Sequence, residues 1–222
     1  MNKRNLAISI ILNFLIVIMT IAATIMMFTG FRFMHGYEII LETTKLGMLK
    51  FYTVQSNILM GVTSFLFLIK EIKMIKNKSY EIPTFLYVLK LISTTSVTLT
   101  FFIVFTYLGP ISKDGIPSML MNSNLFFHLL IPLTSIICFI FFEKTNKLVF
   151  KSTMYGLSLT LIYAIYYLVN ALIHVENGKV SPIYDWYWFV QNGVWTAIIV
   201  VPVIFIITYI ISLLLWKTNK TK

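Results

Sequence analysis

Long apolar runs alternate with short polar segments along the whole chain. The runs of spanning length lie at about 6–29, 49–69, 84–108, 124–142, 152–173 and 192–216. A helix needs about 20 apolar residues to cross the hydrocarbon core of a bilayer. The pattern therefore predicts an all-α fold, a polytopic membrane protein in which residues 1–222 form a single transmembrane domain, a bundle of six transmembrane helices.

The composition excludes a water-soluble globular protein. Of the 222 residues, 58% are hydrophobic and 12% are charged, whereas soluble domains have about 45–50% apolar and about 25% charged residues. Six spans would occupy roughly 130 residues, which leaves no room for an extramembrane domain. The first run is too long for the apolar region of a signal peptide and no clear cleavage site follows it, so we expect a retained span.

The basic residues indicate an orientation. The net charge is +10, and membrane proteins collect Lys and Arg on their cytoplasmic side. With the N-terminus inside, the inner group includes Lys90, whose side chain we expect to snorkel inward. The inner residues are Lys3, Arg4, Lys70, Lys73, Lys76, Lys78, Lys90, Lys144, Lys147, Lys151, Lys217, Lys220 and Lys222. The outer ones are Arg32, Lys45, Lys50, Lys113 and Lys179.

This asymmetry predicts six spans with both termini cytoplasmic, and it explains the basic excess without a nucleic acid partner. Only two of the basic residues are arginine, and Ile, Asn and Tyr are abundant. That bias is typical of AT-rich bacterial genomes. We therefore expect a multi-pass protein of a bacterial cell membrane.

Polar side chains gather at the predicted outer ends of the spans. An uncompensated polar group in hydrocarbon costs several kcal/mol, so such residues normally face one another or a wet cavity. We predict a polar chamber in the outer half of the bundle. Its candidate residues are Lys50, Thr53, Gln55, Asn57, Asn124, His128, Asn170, His174 and Asp185.

Two of these residues suggest nucleophilic chemistry. Thr53 and His128 each lie about one turn inside the outer boundary of a span. A hydroxyl is a weak nucleophile until a base takes its proton, and His titrates in the right range. The other seven residues, Asn57, Asn124, Lys50, Gln55, Asn170, His174 and Asp185, would bind substrate or stabilise the oxyanion. The alternatives are a Thr bonded to its own i−4 carbonyl and a structural hydrogen bond of the His.

Three further expectations concern the remaining polar and aromatic residues. The outer aromatic group Tyr184, Trp186, Tyr187 and Trp188 is interpreted as a belt at the headgroup level. Pro132 is expected to kink its span. No span carries an acidic residue at mid-membrane, which argues against proton-coupled transport.

Two short segments carry a family resemblance. Residues 51–57, Phe-Tyr-Thr-Val-Gln-Ser-Asn, and residues 127–132, Phe-His-Leu-Leu-Ile-Pro, resemble span motifs of bacterial six-span membrane proteins that are distant relatives of the androgen-induced-gene family. Hydropathy and span count resemble that group over most of the chain. The resemblance implies a membrane-embedded hydrolase of fatty acid esters, with Thr53 as nucleophile and His128 as its partner.

The sequence therefore favours a lipid-ester hydrolase that acts among membrane lipids and needs no metal or organic cofactor. The main alternative is a non-catalytic membrane protein that binds a lipid or small amphiphile, as a sensor or structural partner. A small-molecule transporter is the third hypothesis. It ranks below the other two because the sequence shows none of the broken-helix repeats that many transporters have.

Overall fold

A computed structural model describes most of the chain. The described residues are 3–37, 43–76, 81–177, 179–181, 183–190 and 193–220. Lys78 and Lys222, which were counted as inner charges, lie outside them, as does residue 192, the expected start of the sixth run.

Long helices dominate the fold, and 76% of the residues are helical. The long helices are α1 Lys3–Thr29, α2 Tyr52–Lys76, α3 Thr84–Ile111, α4 Ser123–Phe142, α5 Ser152–Ile173 and α6 Ala197–Asn219. Most of their limits lie within five residues of the apolar runs, but α2 continues to Lys76, well beyond the predicted end at residue 69. The all-α class is thus confirmed.

Five of these helices are long and apolar enough to cross a membrane, and α2 is the exception. It has 25 residues, but it carries Gln55, Asn57 and Glu71 among its apolar positions. Helix α2 packs most extensively against α1 and α3. Its polar residues can therefore be held by protein groups and need not face lipid.

Wide π turns interrupt α3 and α4 at Val104–Leu108, Phe126–Leu130 and Cys138–Phe142. The first two come just before Pro110 and Pro132, which lack a backbone N–H. In each the hydrogen bond moves one residue back along the chain, as when Ile131 N–H donates to the Phe126 carbonyl. Pro132, expected as a simple kink, thus follows a π turn. The α-helical parts are Thr84–Ile103, Gly109–Ile111, Ser123–Leu125 and Ile131–Ile137.

Short elements complete the described part of the chain. Helix α5 is α-helical over Ser152–Tyr155 and Ser158–Ile173. A short helix, Gly115–Ser118, lies between α3 and α4, and 3-10 turns occur at Lys45–Lys50 and Val194–Thr196. Strands Val175–Glu176 and Lys179–Val180 pair antiparallel, with Val175 opposite Val180.

Contacts with Glu143, which directly follows α4, show which helix ends lie together. Near the start of α1, Ser9 Oγ lies 3.4 Å from Glu143 Oε1. At the end of α6, Asn219 Nδ2 donates to the Glu143 carbonyl at 3.1 Å. We call this end of the bundle the basal end, and the opposite end, where α1 finishes and α2 starts, the distal end.

The polar stripe of α2 faces the bundle interior. Thr53, Asn57, Gly61 and Ser64 are all buried, as their spacing along one helix face predicts. At Gly61 a Cβ atom would lie only 2.7 to 2.9 Å from three side-chain atoms of Thr20. The missing side chain therefore permits the close approach of α1 and α2.

Replacing Gly61 by Ala should weaken this contact. The added methyl group overpacks the α1–α2 interface and should lower the free energy of unfolding by about 1–3 kcal/mol. Thermal unfolding in detergent micelles measures the change. Val62→Ala is the matched control, because Val62 is the next residue of α2 and is 52% exposed. Equal stability of the two variants would contradict the tight contact.

Candidate functional site

An apolar cavity lies in the distal half of the bundle, between α2, α3, α5, α6 and the segment 185–190. Its empty space is about 640 Å³ when the open solvent at its mouth is counted, and the space available to the centres of water-sized spheres is about 80 Å³. None of the described residues that line it is charged. Almost all of the surface that faces the cavity is apolar, although seven of the lining residues carry a side-chain hydroxyl: Thr53, Thr100, Thr160, Tyr52, Tyr163, Tyr167 and Tyr187. The expected polar chamber is thus an apolar cavity with hydroxyl groups in its wall.

Thr53 lies in this wall, at the second residue of α2. Its side chain is buried, and its carbonyl accepts hydrogen bonds from Ser56 Oγ at 3.0 Å and from Asn57 Nδ2 at 2.7 Å. The Tyr187 hydroxyl lies next to it. Burial raises the pKa of Tyr187 to about 12, and the neighbouring Thr53 side chain opposes that rise. The Thr53 hydroxyl therefore faces a phenol that stays protonated.

His128 is fully buried in the π turn of α4. Its Nδ1 lies 2.6 Å from the carbonyl oxygen of Met119. A carbonyl only accepts hydrogen bonds, so Nδ1 carries the proton and Nε2 keeps its lone pair in the neutral ring. Nε2 has no hydrogen-bond partner among the described residues. A ring held at Nδ1 with Nε2 free has the form that a general base requires.

Asn57 connects the two helices that carry these residues. Its Nδ2 donates to the Thr53 carbonyl and, at 3.1 Å, to the Phe127 carbonyl. Phe127 O is available because Ile131 N–H bonds to Phe126 and the next position, Pro132, has no N–H. One amide thus bridges Thr53 and the residue before His128, and α2 and α4 are neighbours at this depth.

The structure places Thr53 and His128 differently with respect to the cavity. Thr53 lines the cavity, whereas His128 is not among the described residues in its wall. Asn57 and Asn124, the other predicted residues on α2 and α4, are also buried. Asn57 uses its amide nitrogen on two carbonyls, which makes it a positioning group.

Asp185 shapes the segment that closes the cavity. It is 1% exposed, and its carboxylate accepts hydrogen bonds from the Tyr167 hydroxyl and from the N–H groups of Phe189, at 3.0 Å, and Val190, at 3.1 Å. Burial raises the pKa of Asp185, while these hydrogen bonds lower it. Its contacts are those of a residue that folds the chain back over the bundle.

Three more of the predicted site residues make hydrogen bonds or ring contacts with the segments between helices at the distal end. Asn170 Nδ2 donates to the Tyr184 carbonyl at 3.0 Å. The His174 ring stacks on Tyr184 with centroids 3.5 Å apart, and its Nδ1 lies 2.8 Å from the Asn170 carbonyl. Gln55 Nε2 donates to the Leu49 carbonyl at 2.7 Å. These contacts hold the segment that precedes α2 and the segment that follows α5.

Lys50 lies beside the aromatic residues of the same end. Its ammonium is 5.2 Å from the centre of the Phe51 ring and 5.3 Å from that of Trp186, within cation–π range. Its carbonyl accepts a hydrogen bond from the Tyr163 hydroxyl at 2.7 Å. Trp186 Nε1 in turn donates to that hydroxyl at 2.9 Å. Lys50 is thus connected to the cavity wall through Tyr163.

The interpretation of the outer aromatic group as a membrane belt is wrong for two of its members. Trp186 and Tyr187 are 7% and 5% exposed. Their rings pack against Tyr163 and Tyr167 of α5. The turn built on Asp185 folds them inward, so their rings close the cavity and contact protein instead of lipid.

A second polar group at the basal end was missed by the sequence analysis. Lys90 does not snorkel: it is fully buried, and its Nζ lies 3.1 Å from Glu143 Oε1. Glu71 is buried beside them. In the sequence, Glu71 and Glu143 lie just beyond the ends of two apolar runs, where charged residues of connecting loops are expected. The usable signal was the seven-residue spacing of Asn57, Ser64 and Glu71, which continues the stripe of α2.

Comparison with known proteins gives no match to a family model, a curated protein or a solved structure.

The Asn57 bridge can be tested with Pro132. Asn57→Leu leaves the buried Phe127 carbonyl without a donor and should lower the free energy of unfolding by about 1–3 kcal/mol. Pro132→Ala restores an N–H near that carbonyl, so the double variant should recover part of the loss. A double-mutant cycle of thermal unfolding measures the coupling. Strict additivity of the two effects would contradict the bridge.

Proposed function

We propose that this protein is a membrane-embedded hydrolase of fatty acid esters or related lipid esters. The observation that carries the proposal is a buried threonine that lines an apolar cavity, and whose carbonyl is bridged through Asn57 to the turn that holds a histidine with a free Nε2. The resemblance of residues 51–57 and 127–132 to the androgen-induced-gene family supports the same two residues, Thr53 and His128.

In the proposed reaction Nε2 of His128 accepts the proton of Thr53 as its Oγ1 attacks the ester carbonyl carbon. The alcohol then leaves with the proton from His128, and an acyl ester of Thr53 remains. Water, deprotonated by the same ring, releases the fatty acid and regenerates the hydroxyl.

The Tyr187 hydroxyl is the better candidate for the oxyanion donor. It lines the cavity next to Thr53, and it has no hydrogen-bond partner among the described residues by distance and angle. A pKa of about 12 keeps its proton in place. Asn57, the donor expected from sequence, already uses its amide nitrogen on two carbonyls.

The cavity also suggests which part of a substrate it takes. Its wall is apolar apart from hydroxyls and contains no charged side chain among the described residues. A buried charge without a partner is costly, so we propose that an uncharged acyl chain and its ester group enter from the surrounding lipid. A charged headgroup would remain outside the cavity.

We further propose six spans in a bacterial cell membrane, with both termini cytoplasmic. The supporting observations are that α2 packs between α1 and α3, and that the basal end holds Lys70, Lys73 and Lys76. Cytoplasmic segments carry such an excess of basic residues.

Cysteine labelling tests this orientation. The native chain has one cysteine, Cys138, and it is buried. Lys113→Cys and Lys217→Cys place single thiols at exposed positions of the distal and basal ends. In intact cells a membrane-impermeant maleimide should label position 113 and spare position 217, with the unsubstituted chain as control. The opposite pattern would overturn the orientation.

One observation favours a second function, the binding of a lipid or small amphiphile without chemistry. His128 is not among the described residues that line the cavity. In a binding protein its role would be structural, through the hydrogen bond to Met119.

Matched substitutions separate the two functions. We expect Thr53→Val and His128→Ala to lower fatty-ester hydrolysis at least about 100-fold, because each removes a group that moves the reacting proton, and to abolish labelling by a fluorophosphonate. Thr63→Val and His35→Ala change the same residue types at positions outside the cavity wall and the predicted site, and should stay near wild type. Purified protein in detergent provides both measurements.

Turnover that survives both Thr53→Val and His128→Ala would overturn the hydrolase mechanism. Absence of turnover in the wild type, together with lipid binding that Thr53→Val alters, would favour the binding function.

A further inference from the structure

Seven buried side chains from four helices meet at the basal end, far from the Thr53 cavity. Each has 0% exposure. They come from α1, α2, α3 and the end of α4, and we call them the basal cluster: Ser9, Asn13, Ser64, Glu71, Lys90, Cys138 and Glu143.

The charges of the basal cluster do not balance when all its acids are ionised. It contains two carboxyl groups and one ammonium group. Fully ionised, it would hold a net negative charge within the protein, and an uncompensated buried charge is strongly unfavourable. One additional positive charge, most simply a proton, restores neutrality.

The hydrogen bonds of Lys90 show which carboxylate it neutralises. Its ammonium has three N–H donors and three oxygen partners, namely Glu143 Oε1, Ser64 Oγ and Asn13 Oδ1. All three donors are therefore used, and none is directed to Glu71. Glu143 is the counter-ion of Lys90, and Glu71 has no cation partner in the basal cluster.

The position of Ser9 identifies the carboxyl group that holds the extra proton. Its Oγ lies 2.6 Å from Glu71 Oε1 and 3.4 Å from Glu143 Oε1. A hydroxyl has one proton to donate, so with both acids ionised Ser9 serves only one of them. If Glu71 is protonated, its O–H donates to Ser9, and the Ser9 O–H is released to donate to Glu143.

We infer that the basal cluster is a proton-binding site in which Glu71 holds one exchangeable proton and the Ser9 hydroxyl connects it to Glu143. A transfer moves the Glu71 proton to Ser9 Oγ and the Ser9 proton to Glu143, so that Glu71 becomes the carboxylate and Glu143 the acid. The oxygen that would hold the proton is Glu143 Oε2, which is buried and has no partner among the described residues. The site does not depend on the proposed hydrolysis.

The other titratable groups that face these carboxyls are Tyr87 of α3 and Cys138 of α4, whose Sγ lies 3.3 Å from Glu143 Oε1. A phenol and a thiol ordinarily lose their protons at much higher pH than a carboxylic acid. Both are therefore neutral when Glu71 titrates, and the nearby cation, Lys90, directs its donors to Glu143, Ser64 and Asn13.

The proposal predicts how stability depends on pH. An exposed glutamate in the unfolded chain ionises near pH 4.3, whereas the folded chain keeps its proton on Glu71. Above that pH the folded state binds more protons than the unfolded state, so stability falls as pH rises until Glu71 itself is ionised. The loss of stability reflects the cost of burying the negative charge of ionised Glu71 among four packed helices.

Infrared spectroscopy of the full-length protein in detergent tests proton binding directly. At neutral pH the wild type should show the carbonyl stretch of a protonated carboxylic acid, and this band should disappear at alkaline pH. Glu71→Gln removes the protonated acid, and Glu143→Gln makes Glu71 the counter-ion of Lys90, so each should abolish the band. Lys90→Met should increase it, because both acids then need protons. Glu81→Gln, at an exposed position, should leave it unchanged.

Thermal unfolding against pH provides the second measurement. The unfolding temperature of the wild type should fall between mildly acidic and alkaline pH, while Glu71→Gln should show a flatter profile and Glu81→Gln the wild-type one. A wild type without the carbonyl band at neutral pH, or a band that survives Glu71→Gln, would overturn the proposal. The wild-type spectrum decides the matter even if a variant does not fold.

Discussion

Polar groups buried in a helix bundle need partners within the protein, and in this chain the polar residues of α2 supply such partners for three other helices. Its stripe from Thr53 to Glu71 faces inward along its full length. Asn57 is bonded to a carbonyl of α4, Ser64 to the lysine of α3, and Glu71 to Ser9 of α1. Helix α2 is the least apolar of the long helices because it lies between the others and holds them through these bonds.

The two ends of this stripe differ in their chemistry. At the distal end the partners are hydroxyls, amides and carbonyls around an apolar cavity, an environment suited to an uncharged ester. At the basal end the partners are ionisable and fully enclosed, an environment in which a proton decides the net charge. The separation keeps the proposed nucleophile away from the buried ions, whose field would otherwise act on the developing oxyanion.

Much of the fold could be predicted because helix formation and amphipathic spacing are local properties. The apolar runs marked most of the helix limits within five residues, and the spacing of Thr53, Asn57 and Ser64 placed them correctly on one buried face. The partners could not be predicted in the same way. Lys90 resembled a snorkelling residue, and Trp186 resembled a belt residue, because each has an apolar stem or ring with a polar tip. Burial between helices decided otherwise for both.

The sequence by itself determined that the chain is largely helical, that most of its long helices are apolar enough to cross a membrane, and which face of α2 is polar. Only the tertiary structure decided that α4 offers a free carbonyl to Asn57, that Glu143 pairs with Lys90, and that the segment after Asp185 closes a cavity. The reason is physical: hydropathy and periodicity arise within one helix, whereas a buried hydrogen bond depends on which helix lies beside it and at what depth. No spacing along a single chain specifies that neighbour.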